Sequence, residues 1–140
     1  MNKTTLVYDI PYEKVLEYRE TIKNWHPEIG DETDGQLHKF KGLDNYDWLM
    51  LFDENDKLLA VSCVDMGMYD DKIYLNMLWA TKGYGKIMTD RIFNFYKECV
   101  SKRPGKKSVT FNAINDTVSN VYKTKYTDYK FIGRNEWGYD

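Results

Sequence analysis

Residues 81–86, Thr-Lys-Gly-Tyr-Gly-Lys, decide how the chain is interpreted, because they join two regular elements through a glycine loop. The apolar run over residues 73–80 predicts a buried strand, and residues 87–100 have the apolar periodicity of an amphipathic helix. Between a strand and a helix, backbone N–H groups and the positive end of the helix dipole can bind phosphate. Two lysines in the loop add positive charge. We therefore predict a phosphate-bearing ligand at residues 81–87.

The same loop has a second interpretation as a tight turn with close packing, which its glycines alone would also satisfy. It lacks the closing Gly-Lys-Ser/Thr of an ATP-binding P-loop. Met88 stands where the dinucleotide-binding pattern has a third glycine. ATP and NAD are therefore disfavoured as ligands.

Composition predicts one soluble domain over residues 1–140. The formal net charge is −2 and the pI is about 5.7, so no global field attracts nucleic acid, which is disfavoured as a partner. No apolar run is long enough for a membrane span, and the N-terminus has no signal-peptide pattern. We therefore expect a cytoplasmic protein that has no membrane partner.

The cysteines and histidines do not suggest a metal site. Cys63 and Cys99 fall in a predicted strand and a predicted helix, which favours reduced core residues. His26 and His38 are isolated and are interpreted as surface or loop residues. No Cys/His spacing indicates zinc, so we predict no bound metal.

The predicted order of elements is strand, helix, three antiparallel strands, glycine loop, helix, strand, helix and strand. One helix is expected from Pro11 to near Trp25, and a hairpin is expected over residues 47–65. The strand after the second helix should run parallel to the strand before it. Residues 36–41 are either a short helix or a turn, and residues 135–140 receive no assignment.

An acidic cluster lies in the part of the chain that is hardest to interpret, residues 26–46. It is either a solvated loop or a negative rim that attracts a cationic substrate. Its members are Glu28, Asp31, Glu32 and Asp34.

Two segments resemble motifs of the GNAT superfamily of acyl-CoA-dependent N-acyltransferases. Residues 80–85 look like the family's Arg/Gln-x-x-Gly-x-Gly/Ala pyrophosphate loop, with Ala80 in place of Arg or Gln. Residues 115–123, NDTVSNVYK, look like its Asn-x-x-Ala-x-x-Leu-Tyr segment. After Tyr122 the family's Lys-x-Gly-Phe is replaced by a longer segment without glycine. The order of elements matches along nearly the whole chain.

The resemblance implies an α/β (α+β) fold with a mixed, mostly antiparallel sheet of six to seven strands and helices on both faces. It implies acetyl-CoA as the cofactor, with its pantetheine arm in a V-shaped gap between the fourth and fifth strands. The arm would pair with the backbone of Leu75 and Met77 and be bonded by Asn115. The pyrophosphate would lie on backbone N–H groups of the loop, which are those of Lys82, Gly83, Tyr84, Gly85, Lys86 and Ile87.

The resemblance also implies N-acetyl transfer to a primary amine of a small molecule or protein. Tyr122 would be the general acid that protonates the leaving thiolate. The base is not identified, although Asp65 and Asp71 lie at strand ends and are ranked above Asp70. Two alternatives stay open: a non-catalytic GNAT-like module acting through CoA binding or protein contact, and acylation of a modified nucleobase. A homodimer is compatible with the edge strands and aromatic side chains.

Overall fold

The structure is a computed structural model that describes residues 3–42, 46–65, 72–102, 108–112, 120, 123–124, 130–133 and 136–139. Four helices, one 3₁₀ turn at Pro27–Ile29 and seven strands have defined bounds within these residues. In chain order they are β1 (Thr4–Ile10), α1 (Tyr12–Leu16), α2 (Arg19–Asn24), α3 (Gly30–His38), β2 (Tyr46–Asp53), β3 (Leu58–Asp65), β4 (Lys72–Ala80), α4 (Gly85–Lys102), β5 (Ser108–Asn112), β6 (Lys130–Gly133) and β7 (Glu136–Tyr139).

The strands form one seven-stranded sheet in the order β1-β2-β3-β4-β5-β7-β6. Neighbouring strands are antiparallel except for β4 and β5, which are parallel because α4 carries the chain back between them. The predicted mixed, mostly antiparallel sheet is confirmed. The predicted β2–β3 hairpin and the parallel pair are confirmed with it.

Helices cover both faces of the sheet. On one face, side chains of α1 to α3 pack around Trp48 and Met50 of β2 in the main apolar cluster. The alternate residue Leu49 is also fully buried, so the opposite face is covered as well. Helix α4 contacts β4 and β5 and buries Met88 and Ile92 completely, which accounts for that cover.

The single helix predicted from Pro11 to Trp25 is wrong, because the chain forms α1 and α2 with a break at Tyr18. The N–H groups of Glu17 and Tyr18 bond carbonyls three residues back, which tightens and ends α1. The Tyr18 ring then packs edge-on against Phe52, with ring centroids 6.0 Å apart. Apolar spacing continues through the break, so periodicity could not reveal it.

Helix α3 was not predicted as one element, since only residues 36–41 were considered as a short helix or a turn. Gly30 begins the helix where it crosses α2, and an added Cβ would lie 3.3 Å from the carbonyl oxygen of Lys23. The glycine therefore permits a close approach of two helices. The segment predicted as a short helix or a turn is both, since α3 ends at His38 and a turn follows.

The C-terminal strand β7, which had received no assignment, lies between β5 and β6. Thr110 and Lys130 both pair with Gly138, from opposite sides. The predicted final strand is found as β6. Of the predicted helix that begins near residue 115, only residues 120 and 123–124 are described, and all three are helical.

Candidate ligand site

Strands β4 and β5 part in the middle of the sheet. Their pairing runs from Lys72 with Ser108 to Leu75 with Phe111, and β4 then continues to Ala80 beside β3 alone. Within the described residues, positions 76–80 therefore have no strand on their β5 side. The sheet contains a gap that is bordered by a free strand edge.

The hydrogen-bond pattern of β4 shows which backbone groups face this gap. The N–H of Thr81 donates to the carbonyl of Leu59 at 2.9 Å, so in this register Thr81, Trp79 and Met77 direct their backbone groups toward β3. Alternate residues of an antiparallel strand point to opposite neighbours. The N–H and C=O of Leu78 therefore point into the gap.

Two features of β3 and β4 fix this arrangement. β3 has no residue opposite Asn76, because Cys63 pairs with Met77 and Val64 pairs with Leu75. Asn76 is therefore a bulge at the point where β4 leaves β5. The fully buried Ser62 donates its Oγ–H to the Met77 carbonyl at 2.5 Å, which adds a side-chain bond on the β3 side.

The glycine loop follows β4 directly and leaves several donors free. The N–H of Tyr84 bonds the Thr81 carbonyl at 3.1 Å, and the N–H of Met88 bonds the Tyr84 carbonyl at 2.9 Å. In the described part of the chain, the N–H groups of the other loop residues have no protein acceptor. These residues are Lys82, Gly83, Gly85, Lys86 and Ile87. The two lysines are exposed, so their charges are available to an anion.

The two glycines distinguish a ligand loop from a packed turn. Gly83 has φ +91°, a conformation that a side chain would strain. Gly85 does not share this conformation, and a Cβ added at either position would meet no heavy atom within 4 Å. Close packing therefore does not explain Gly85. The open space in front of it suits a phosphate group that approaches the start of α4.

His26 borders the same end of β4. Its Nε2 lies 3.1 Å from the carbonyl oxygen of Ala80, 54 positions away in the chain. Its Nδ1 lies 3.9 Å from a carboxylate oxygen of Glu28. His26 was predicted to be an isolated surface or loop residue. It is exposed, but its contact with Ala80 was not predicted, because no local sequence signal indicates it. Leu78 was also missed, because its role depends on the strand register.

Of the candidate bases Asp65, Asp70 and Asp71, only Asp65 lies within the described part of the chain. It is buried at the end of β3, opposite Tyr74 of β4. It lies six positions after Leu59, which places it about 20 Å from the residue that pairs with the start of the loop, near the closed end of the gap. Asp70 and Asp71 lie outside the described residues, as do Asn115 and Tyr122.

The acidic cluster is divided by the structure. Arg19 donates two hydrogen bonds to Asp34, one of them from Nη2 at 2.7 Å, and this pair lowers the pKa of the Asp34 carboxyl. Asp34 therefore joins α2 to α3. Glu28, Asp31 and Glu32 are exposed. Only these three of the four acidic side chains can therefore form a negative rim, and Glu28 lies beside His26.

Cysteine and metal chemistry do not add to the site. Cys63 is a fully buried free thiol whose pKa is raised by burial. The side chain of Cys99 is outside the described set. Where the structure describes side chains, no three of His, Cys, Asp and Glu cluster as a metal site would require. No described helix has the length and apolar character needed to cross a membrane.

Comparison with known proteins identifies the fold. No family model matches the sequence, and no curated protein matches it either. Among solved structures, an aminoglycoside 6′-acetyltransferase type Ii matches with a TM-score of 0.68 and 12% identity, over 96% of this chain and 95% of that one. A GNAT-family acetyltransferase from Staphylococcus aureus Mu50 matches with a TM-score of 0.56 and 11% identity, over 98% of each chain.

A third match is the KacTA–DNA complex, with a TM-score of 0.61 and 13% identity, over 98% of this chain and 92% of that one. Several further neighbours are titled acetyltransferases. At these identities the comparison concerns the fold. The matches extend over nearly the full length of both chains, so the whole arrangement of strands and helices is shared.

Proposed function

We propose, because the chain has the fold of the GNAT acetyltransferases, that it transfers an acetyl (acyl) group from acetyl-CoA to a primary amine of a small molecule or protein. The observation that carries the proposal is the free edge of β4 running directly into a loop with unpaired N–H groups and open space at Gly85. A ligand with an extended amide arm and a diphosphate has the chemistry that these two surfaces bind together.

In this proposal the diphosphate lies on N–H groups from Lys82 to Ile87, and Lys82 and Lys86 balance part of its charge. The pantetheine arm extends along β4 from the loop toward Leu75. Met77 keeps its backbone groups on the β3 side, so Leu78 supplies the N–H and C=O that face the arm. Asn115 is the proposed side-chain partner of the arm.

The reaction proceeds by direct attack. The neutral amine nitrogen attacks the thioester carbonyl, a C–N bond forms and the C–S bond breaks. A backbone N–H of β4 stabilises the charge that develops on the carbonyl oxygen. Tyr122 protonates the leaving thiolate, and Asp65 or Asp71 takes the amine proton through water. These three side-chain roles follow from the sequence motif and the chain order.

A cationic amine is the acceptor class that the exposed acidic side chains favour. Glu28, Asp31 and Glu32 remain exposed and take no part in the Arg19 contact, and they lie on and just before α3. One structural neighbour is named for an aminoglycoside, which is a polyamine in its chemistry. The cytoplasmic location, the homodimer and the disfavoured nucleic-acid partner remain predictions from the sequence.

Thermal unfolding with acetyl-CoA, CoA and ATP tests the proposal. A ligand at 100 times its Kd adds about 2.7 kcal/mol to the free energy of unfolding. For a domain of this size the melting temperature should rise by roughly 2–8 °C. We expect a rise with acetyl-CoA and CoA and none with ATP. No rise at millimolar acetyl-CoA would contradict the proposal and favour a non-catalytic interaction domain.

Turnover is then measured as thiol release from acetyl-CoA across a panel of polyamines, aminoglycosides and peptides with free amino groups. Tyr122→Phe should lower kcat by about 10²- to 10⁴-fold and leave the acetyl-CoA melting shift unchanged. Binding of acetyl-CoA without release on any amine would support the non-catalytic alternative instead.

A further inference from the structure

The contact between His26 and Ala80 lies at a junction in the molecule. Ala80 is the last residue of β4, and the loop with the unpaired N–H groups begins at the next residue. His26 comes from the connection between α2 and the 3₁₀ turn at Pro27–Ile29. The imidazole therefore lies where the free strand edge ends and the loop starts.

The register of β4 shows that this contact is on the gap side. Ala80 alternates with Thr81 and Trp79, whose backbone groups face β3, so its carbonyl points away from β3. His26 is hydrogen-bonded to that carbonyl oxygen from the gap side. A carbonyl oxygen can only accept, so Nε2 of His26 carries the proton. The ring remains 47% exposed, which leaves its surface accessible to a ligand.

We propose that His26 is a contact residue for the acyl donor, at the junction between its pantetheine arm and its diphosphate. The proposal rests on the acyl-CoA function proposed above. By donating to the Ala80 carbonyl, His26 competes with the ligand for the last acceptor on the free edge of β4. Backbone pairing of the arm then ends at Leu78, and the ligand leaves the strand edge where the loop donors begin.

This position gives His26 two effects on the ligand. It favours pairing of the arm at Leu78 over Ala80, because the Ala80 carbonyl already accepts from the imidazole. It also places a partly exposed ring at the loop end of the gap, where the arm passes against it. His38 has neither property, since it lies on α3 with its Nε2 3.9 Å from Asp34.

Imidazole resonances provide a direct test, because the chain has only two histidines. ¹H–¹⁵N spectra of protein labelled with ¹⁵N-histidine are recorded while acetyl-CoA is added, and each signal is assigned with His26→Gln and His38→Gln. We expect the His26 signals to shift in step with binding, whereas the His38 signals stay in place. His38 thus serves as an internal control in the same sample.

The variants add a second measurement. His26→Ala should weaken acetyl-CoA binding about three- to tenfold. His26→Gln, whose side-chain amide can still donate to Ala80, should lose less affinity. His38→Gln should bind as the unaltered protein does.

The possible results separate this proposal from the proposed function. If acetyl-CoA raises the melting temperature but the His26 signals do not move, or move no more than those of His38, the His26 contact is overturned and the acyl-CoA site stands. If acetyl-CoA does not bind at all, the proposed function fails, and the His26 contact fails with it.

Discussion

Gly83 and Gly85 are the same residue type two positions apart, yet the structure gives them different reasons to be glycine. Gly83 has a positive φ, whereas Gly85 does not, begins α4 and faces open space. The first glycine is required by the backbone. Nothing in the described part of the protein requires the second, so its proposed role is to admit a ligand.

Alanine substitutions separate these roles. Gly83→Ala places a side chain at positive φ and should lower the melting temperature of the ligand-free protein by several degrees. Gly85→Ala should leave that temperature unchanged or slightly higher, because alanine favours a helix over glycine by roughly 0.5–1 kcal/mol. Gly85→Ala should nevertheless reduce the shift produced by acetyl-CoA, since its methyl group fills the space before the helix.

The measurement is the melting temperature of each variant with and without acetyl-CoA. Equal acetyl-CoA shifts in Gly85→Ala and the unaltered protein would show that the open space at Gly85 is not used by this ligand.

At the scale of elements, the pair formed by Arg19 and Asp34 holds α2 against α3. The pKa of Asp34 is lowered chiefly by its hydrogen bonds from Arg19. A carboxyl whose folded pKa is depressed contributes stability above its unfolded pKa, near 3.9, and loses that contribution as the pH falls through the folded value. The stabilisation by the Arg19–Asp34 pair is therefore complete at neutral pH and is lost under acid conditions.

Asp34→Asn should lower the melting temperature by a few degrees at pH 7, and the difference from the unaltered protein should shrink as the pH falls below about 4. Glu32→Gln, on the exposed side of the same helix, is the matched control and should have little effect at either pH. A deficit in Asp34→Asn that is as large at pH 3 as at pH 7 would refute the ionic origin of this stabilisation. Thermal unfolding followed by circular dichroism measures both variants.

At the scale of the whole molecule, β7 joins the edge strand β6 to the rest of the sheet. β5 and β6 reach each other only through β7, and Gly138 pairs with a residue on each side. In a strand paired on both sides every backbone N–H belongs to one ladder or the other. A proline there removes a donor that the sheet uses.

Gly138→Pro should therefore lower the melting temperature by roughly 10 °C or more. Gly138→Ala controls for the loss of glycine and should have a smaller effect. If the proline and alanine variants unfold at the same temperature, β7 is not hydrogen-bonded on both sides as described. Thermal unfolding of both variants under identical conditions makes the comparison.

Sequence patterns predicted those parts of the fold that are determined by residues close together in the chain. The β2–β3 hairpin, α4 and the glycine loop follow from apolar spacing and turn residues within short windows. Helix α3 did not, because Gly30 is explained by the carbonyl of Lys23 on another helix. Strand β7 did not, because its four residues are recognised as a strand only through pairing with β6 and with β5, which is distant in the chain.

The candidate site divides in the same way. Its loop was predicted from a contiguous motif, and the gap between β4 and β5 was expected only from the family resemblance. The contact of His26 with Ala80 joins distant parts of the chain and was not predicted. A bulge at Asn76 and a register that exposes Leu78 are properties of strand pairing. No spacing rule within one segment could reveal them.

The parting of β4 from β5 also bears on how the protein avoids self-association. An open sheet has two edges, here β1 and β6, and among the residues that the structure describes this sheet carries an additional one along β4. Unprotected edges recruit extended segments of other chains and thereby begin aggregation. A substrate arm bound along β4 would cover that edge. Bound acyl donor would then protect the protein from aggregation, and depletion of the donor would expose the edge.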